Sequence, residues 1–127
     1  MAEARGTALL SLPAIALLLL AAHFVHAGLW PIAAACIAAT ALLAVPRAWA
    51  ARTLQCVLAM GAIEWVLTAA MIAQLRAAHG QPYLRMLVIL GAVCVLTVVA
   101  ALVFQHSALR RRFGLDRIAV DPAAHAG

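Results

Sequence analysis

Glu64 is the residue whose type and position most directly suggest chemistry in this chain. It lies eleven residues from either end of a long apolar run, residues 53–75. A charged side chain at the centre of a membrane-spanning helix costs about 2.5–3.5 kcal/mol on insertion scales, so it needs a partner or a proton. Thr68, one helical turn later, carries a hydroxyl that can hydrogen-bond to the carboxyl. We expect this pair either to bind a proton or substrate in a polar cavity, or to form a structural hydrogen bond within the bundle or between subunits.

His23 and His26 are the next residues that could carry chemistry. They are three residues apart in the first apolar run, which places them on neighbouring parts of one helix face. We expect both histidines to lie within two turns of the outer membrane surface, nearer to it than Glu64. On this expectation no second ionisable group lies at the depth of Glu64. Imidazoles can ligate a metal or a haem, but neither a cysteine nor a carboxylate is predicted to converge with them. The alternatives are an outer-facing metal or haem site at His23 and His26, or two interfacial histidines beside Trp30 with no bound cofactor.

The composition requires membrane helices to position these residues. The hydrophobic residues make up 68% of the 127 residues and the charged ones only 10%, with a mean hydropathy of +1.07. A soluble domain has about 45–50% apolar and about 25% charged residues, and a chain this short cannot enclose so much apolar surface. Disordered chains are poor in apolar residues. Lipid is therefore the expected surrounding of this chain.

Four apolar runs predict an all-α bundle of four transmembrane helices. Each approaches the length of about 17–25 residues that a spanning helix needs, and the breaks between them contain Gly and Pro. The predicted spans are residues 7–27, 29–45, 53–75 and 86–104. Together they form one transmembrane domain, residues 1–106, followed by a basic tail, residues 107–127, that we expect to be flexible and cytoplasmic. In the alternative, residues 1–27 are a signal peptide cleaved after Ala27, which leaves three spans.

The arginines predict the orientation of the bundle. Cytoplasmic loops are enriched in Lys and Arg, and this chain has nine arginines and no lysine. Two of them, Arg76 and Arg85, flank the loop between the third and fourth runs. The other seven fall on the opposite side: Arg5, Arg47, Arg52, Arg110, Arg111, Arg112 and Arg117. This bias predicts that both termini are cytoplasmic. Because the charge marks the ends of apolar runs and not one face of a soluble module, it does not indicate nucleic-acid binding.

Small residues recur at helical spacing in the apolar runs, and no enzyme motif accompanies them. Ala34, Ala38 and Ala41 lie along one face of the second run, where they let another helix approach closely. The sequence contains no HExxH, no CxxC and no phosphate-binding glycine loop, and its three cysteines lie singly inside spans. We therefore expect a non-enzymatic accessory or assembly subunit, or a homo-oligomer, that acts through helix packing. The alternative is a small proton-coupled transporter or ion-conducting oligomer that uses Glu64.

Two resemblances accompany this interpretation. Length and span count are similar to those of the small multidrug resistance transporters, but that family has its membrane acid in the first helix, where this chain has none, so no site residue is carried over. Residues 23–31 (HFVHAGLWP) and Glu64-Trp65, set in Ala/Leu-rich spans, resemble small uncharacterised four-span inner-membrane proteins of GC-rich bacteria. That resemblance implies the fold and an inner-membrane location, and it implies no activity.

Overall fold

The computed structural model describes residues 2–115, and in this part of the chain every regular element is helical. The five α-helices are α1 (Ala2–His26), α2 (Trp30–Ala41), α3 (Ala48–Ala78), α4 (Leu84–Leu102) and α5 (Ser107–Arg112). Single 3₁₀ turns, Leu42–Ala44 and Val103–Gln105, extend α2 and α4. The all-α class expected from the composition is therefore what the described residues adopt.

Three of the four expected spans are helices long and apolar enough to cross a membrane. These are Ala4–His26, Ala48–Ala78 and Leu84–Gln105. The remaining expected span, the second along the chain, is the apolar segment Trp30–Ala44, which has 15 residues. At 1.5 Å per residue it is about 22 Å long, shorter than the hydrocarbon core of about 30 Å. It ends where Val45 turns to an extended conformation, as expected for the residue before Pro46, since proline disfavours helical geometry in its predecessor.

The helices form two antiparallel hairpins, α1 with α2 and α3 with α4. Two hydrogen bonds fix the register of the second hairpin, from Cys94 Sγ to the Ala62 carbonyl at 3.6 Å and from Gln55 Nε2 to the Ala101 carbonyl at 3.2 Å. The first hairpin packs on the second chiefly through α1 and α4. Side chains of α1 also reach α3, where Leu20 lies over Gly61. Together these contacts bring α1, α3 and α4 around one core.

The turn between α1 and α2 depends on Gly28. This residue has φ of +77°, a left-handed conformation that L side chains disfavour and glycine adopts without a Cβ clash. The Gly28 N–H donates to the Val25 carbonyl and the Leu29 N–H to the Phe24 carbonyl, which is the Schellman pattern at a helix end. Pro31 follows in the first turn of α2, where its missing N–H costs no intrahelical bond. The hairpin therefore turns tightly with its carbonyl groups satisfied.

The first part of the expected flexible tail is packed on the bundle. Leu109, Phe113 and Leu115 are buried, and the Phe113 ring meets Phe104 edge-on at 5.5 Å between centroids. The sequence places these apolar residues among arginines, and α5 separates the two types because a helix turns its apolar face to the core. Of the tail, residues 107–115 thus pack against α1 and the end of α4. Residues 116–127, which include Arg117, lie outside the described residues.

Candidate functional site

Glu64, Thr68 and His23 form a polar cluster between α3 and α1. His23 Nε2 lies 3.3 Å from Glu64 Oε1 and 3.4 Å from Thr68 Oγ1. The Thr68 hydroxyl can donate to Glu64 Oε1, at 3.4 Å. All three distances are longer than the usual 2.7–3.2 Å of a hydrogen bond. They join three polar atoms: His23 Nε2, Glu64 Oε1 and Thr68 Oγ1. A carboxyl, an imidazole and a hydroxyl therefore share one site among apolar helices.

The pairing of Glu64 with His23 corrects the expectation that no second ionisable group lies at the depth of Glu64. The two residues are 41 positions apart, and only the docking of α1 on α3 makes them neighbours. A signal was present in the sequence, because His23 is the imidazole that lies furthest inside an apolar run. A membrane-embedded acid tends to pair with another polar group of the bundle, so each polar residue of the other runs was a candidate partner for Glu64.

Aromatic rings enclose the imidazole of His23. The Trp65 ring lies 4.8 Å from it and the Phe24 ring 5.3 Å, measured between centroids. Trp65 is buried, and its indole Nε1 has no hydrogen-bond partner. The side chain of His23 keeps 19% of its surface exposed and that of Glu64 keeps 37%. Packing therefore holds the imidazole in place, whereas the carboxylate is not sealed from its surroundings.

His26, the other predicted ligand, does not join this cluster. His26 and His79 are exposed, and Nδ1–H of His79 donates to the Leu75 carbonyl at 2.8 Å, which caps the end of α3. Within residues 2–115, no three His, Cys, Asp or Glu side chains lie close enough to share a metal ion. The structure thus gives His23 and His26 different surroundings, with His23 turned to Glu64 and His26 to the exterior.

An apolar cavity of about 420 Å³ borders the carboxylate. Glu64 is the one acidic residue in its lining, and the rest comes from α1, the α1–α2 turn, α2 and α3. The main contributors are Leu20, Phe24, Leu29, Ile32, Cys36 and Met60. Ligand pockets have volumes of about 300–1,000 Å³ and are mostly apolar with few polar groups. This cavity matches that description, with Glu64 as its polar group.

Access to the cluster differs between its two sides. Towards the arginine-rich end, Leu20 lies over Gly61, and beyond them Leu17, Leu54 and Leu58 are fully buried. Towards the α1–α2 turn, α1 ends only three residues past His23, about 5 Å along the helix axis. Trp30, which follows that turn, is 64% exposed. The cluster therefore lies close to the end of α1, with a buried leucine core between it and the arginine-rich end.

The three cysteines are free thiols in three different environments. Cys36 is buried and lines the cavity, Cys56 is exposed and Cys94 is half-buried. Cys94 donates to the Ala62 carbonyl, so its thiol joins α4 to α3. None of the three lies in a group of metal-ligating side chains within the described part of the chain.

A carboxyl and an imidazole within hydrogen-bond distance can hold one proton between them, or form an ion pair when both are charged. In an apolar surrounding this pairing lowers the cost of keeping Glu64 and His23 away from water. The arrangement can thus bind and release a proton beside a cavity. No family model matches this sequence, and neither a curated protein nor a solved structure matches it significantly.

Proposed function

We propose that this chain is a non-enzymatic protein of the bacterial inner membrane that binds and releases protons at the His23–Glu64–Thr68 cluster. It would act as a small proton-coupled transporter or as an ion-conducting oligomer. The observation that carries this proposal is the contact of 3.3 Å between Glu64 and His23 at the edge of the apolar cavity. Ionisable groups inside membrane segments are rare and mark substrate or ion pathways and proton relays.

The partial exposure of Glu64 favours a functional site over a sealed structural pair. A structural pair gains most when both groups are buried and every polar atom is satisfied, because removal of water strengthens their hydrogen bonds. Here the Glu64 side chain is 37% exposed, and the hydrogen bonds that hold it are 3.3 and 3.4 Å long. A carboxylate that is loosely held beside a cavity can gain or lose a proton and can exchange its hydrogen-bond partner.

The proposed topology has four spans with both termini in the cytoplasm. The beginning of α1 packs against α5, so Arg5 lies at the same end of the bundle as the arginines of α5. Arg76 and Arg85 lie at the other end, beside the α3–α4 loop. The excess of arginine at one end supports a cytoplasmic position for that end. Because Trp30–Ala44 is shorter than the hydrocarbon core, we propose that the bilayer thins beside α2.

The proton-coupling proposal is tested by flux through the full-length protein in phospholipid vesicles with a pH-sensitive dye inside. We expect a proton flux above that of empty vesicles, and Glu64→Gln to lower it at least tenfold while the protein still inserts. The His26→Gln variant is the matched control, because it changes an exposed imidazole of the same helix outside the cluster. Equal flux for Glu64→Gln and the unaltered protein, or no flux from either, would contradict the proposal.

A second candidate is an accessory or assembly subunit that acts through helix packing, alone or as a homo-oligomer. The observation that favours it is the exposed face of α2, where Ala34, Ala38 and Ala41 point away from the bundle. These small side chains allow close approach of another helix. Extraction from native membranes in mild detergent should then yield a complex with a second protein or several copies of this chain. A lone monomer would remove the support for this candidate.

A further inference from the structure

A groove at the tip of the α3–α4 hairpin brings together the two arginines that lie away from the arginine-rich end. It has a volume of about 570 Å³, which is about that of a small-ligand pocket and many times the roughly 30 Å³ of a water molecule. Arg76 comes from the last turns of α3 and Arg85 from the first turn of α4. Apart from Pro82, the remaining lining is apolar: Ile72, Met86, Ile89 and Leu90.

The two guanidinium groups lack an acidic partner in the described part of the chain. Arg76 Nη1 donates to the Pro82 carbonyl at 3.1 Å, which holds the head of the side chain at the groove. The ion pair between His23 and Glu64 lies on another face of the bundle. Two like charges that share one groove repel each other. An anion bound between them would convert that repulsion into two charge-assisted hydrogen bonds.

We propose that this groove binds the headgroup of an anionic phospholipid. The phosphate would lie between Arg76 and Arg85, and the acyl chains would follow the apolar surface of Ile89 and Leu90 towards the membrane centre. Arginine suits this task because its planar fork of donors binds phosphate oxygens in pairs. A zwitterionic lipid brings its own ammonium group close to the second guanidinium, so the site favours a lipid with net negative charge. This inference is independent of the role proposed for Glu64.

The position of the groove supports a lipid and not a free anion. It opens between two helices that are long and apolar enough to cross a membrane, with exposed Val88 and Ile89 beside it on α4. Tyr83, an aromatic residue of the type found at the membrane–water interface, precedes α4. The charged part of the groove thus lies at the level of the headgroups and its apolar part at the level of the chains.

The experiment measures lipid binding by native mass spectrometry of the full-length protein in detergent micelles. Phosphatidylglycerol and phosphatidylcholine are titrated separately into the micelles. We expect phosphatidylglycerol to bind at least tenfold more tightly, and the Arg76→Gln/Arg85→Gln variant to lose that preference. The matched control is Arg47→Gln/Arg52→Gln, which removes two arginines at the other end of the bundle and should change binding less than twofold.

Three results would overturn the proposal. Equal binding of the two lipids would show that the groove does not recognise net charge. An equal loss in both double variants would show general adhesion to arginines. Displacement of the lipid by millimolar inorganic phosphate would identify a free anion as the ligand. If Arg76→Gln/Arg85→Gln does not fold, Arg85→Gln alone decides the matter, because it leaves the Arg76 to Pro82 hydrogen bond in place.

Discussion

At the scale of the residue, the bundle keeps one acidic side chain by surrounding it with specific partners. Glu64 accepts from Thr68 on its own helix and meets His23 on α1. Thr68 is placed by the helical repeat alone, because residues four apart lie on one face. His23 is placed by a close approach of the two helices, and that approach depends on Gly61, one turn before Glu64.

We expect Gly61→Ala to destabilise the bundle by about 1–3 kcal/mol relative to Gly91→Ala, the usual cost of overpacking. A Cβ at position 61 would lie 2.8 Å from Leu20 Cδ2, whereas a Cβ at position 91 meets nothing within 4 Å. Both glycines lie inside helices, so both variants gain the same helix propensity, up to about 1 kcal/mol. Unfolding in mixed micelles, followed by circular dichroism, compares the two.

Equal stability of the Gly61 and Gly91 variants would show that Leu20 rotates away at no cost. The proton flux gives a further check, because it depends on the distance between α1 and α3. If the added methyl group displaces α1 and not only the Leu20 side chain, Gly61→Ala should also lower the proton flux proposed for the cluster, whereas Gly91→Ala should leave that flux unchanged.

At the scale of the element, the short helix α5 closes the arginine-rich end of the bundle. Its apolar residues complete the same core to which Leu17, Leu54 and Leu58 belong. Phe113, just past its end, is 1% exposed and packs against the fully buried Phe104. This core lies between the cluster and the arginine-rich end, so α5 adds to the packing on that side of Glu64.

We expect Phe113→Ala to lower the free energy of unfolding by about 3–5 kcal/mol, the usual cost of truncating a buried Phe. Arg111→Ala is the control, since Arg111 is exposed in the same segment and an exposed substitution changes stability by about 0.5 kcal/mol or less. Thermal unfolding of the purified protein in detergent measures both. If the two variants unfold alike, α5 does not contribute to the core in the membrane-embedded protein.

At the scale of the whole molecule, the two hairpins reach different heights. His23 of α1 and Glu64 of α3 are in contact, so they lie at the same height along the bundle. From that height α1 continues for three residues and α3 for fourteen residues. At 1.5 Å per residue the end of α3 lies about 21 Å beyond Glu64 and the end of α1 about 5 Å beyond it. The α1–α2 turn therefore stops short of the α3–α4 tip.

We expect the α3–α4 loop and α5 to lie on opposite sides of the membrane. In a background without the three native cysteines, Gln81→Cys should react with a membrane-impermeant maleimide in intact cells. Ser107→Cys, the matched exposed position on the other side, should react only after permeabilisation. The reverse pattern would invert the proposed orientation. Labelling of both positions in intact cells would indicate a mixture of orientations.

The sequence by itself determined the helical class and the approximate positions of the helices, although α1 and α3 begin five residues earlier than the predicted runs. Apolar runs of spanning length, broken by Gly28, Pro46 and Pro82, predict the long helices, because a helix satisfies its backbone hydrogen bonds within the segment. The same composition singled out Glu64, because an acid inside an apolar run costs free energy that a partner or a proton must offset. The Glu64 and Thr68 neighbourhood follows from the helical repeat.

Only the tertiary structure decided which residues of different helices meet. The contact of His23 with Glu64, the groove of Arg76 and Arg85 and the burial of Phe113 each join residues from separate elements. Periodicity shows which face of a helix is apolar, but it does not give the height at which two helices dock. That height depends on side-chain packing, here of Leu20 over Gly61. The docking gave Glu64 an ionisable partner that its own helix does not contain.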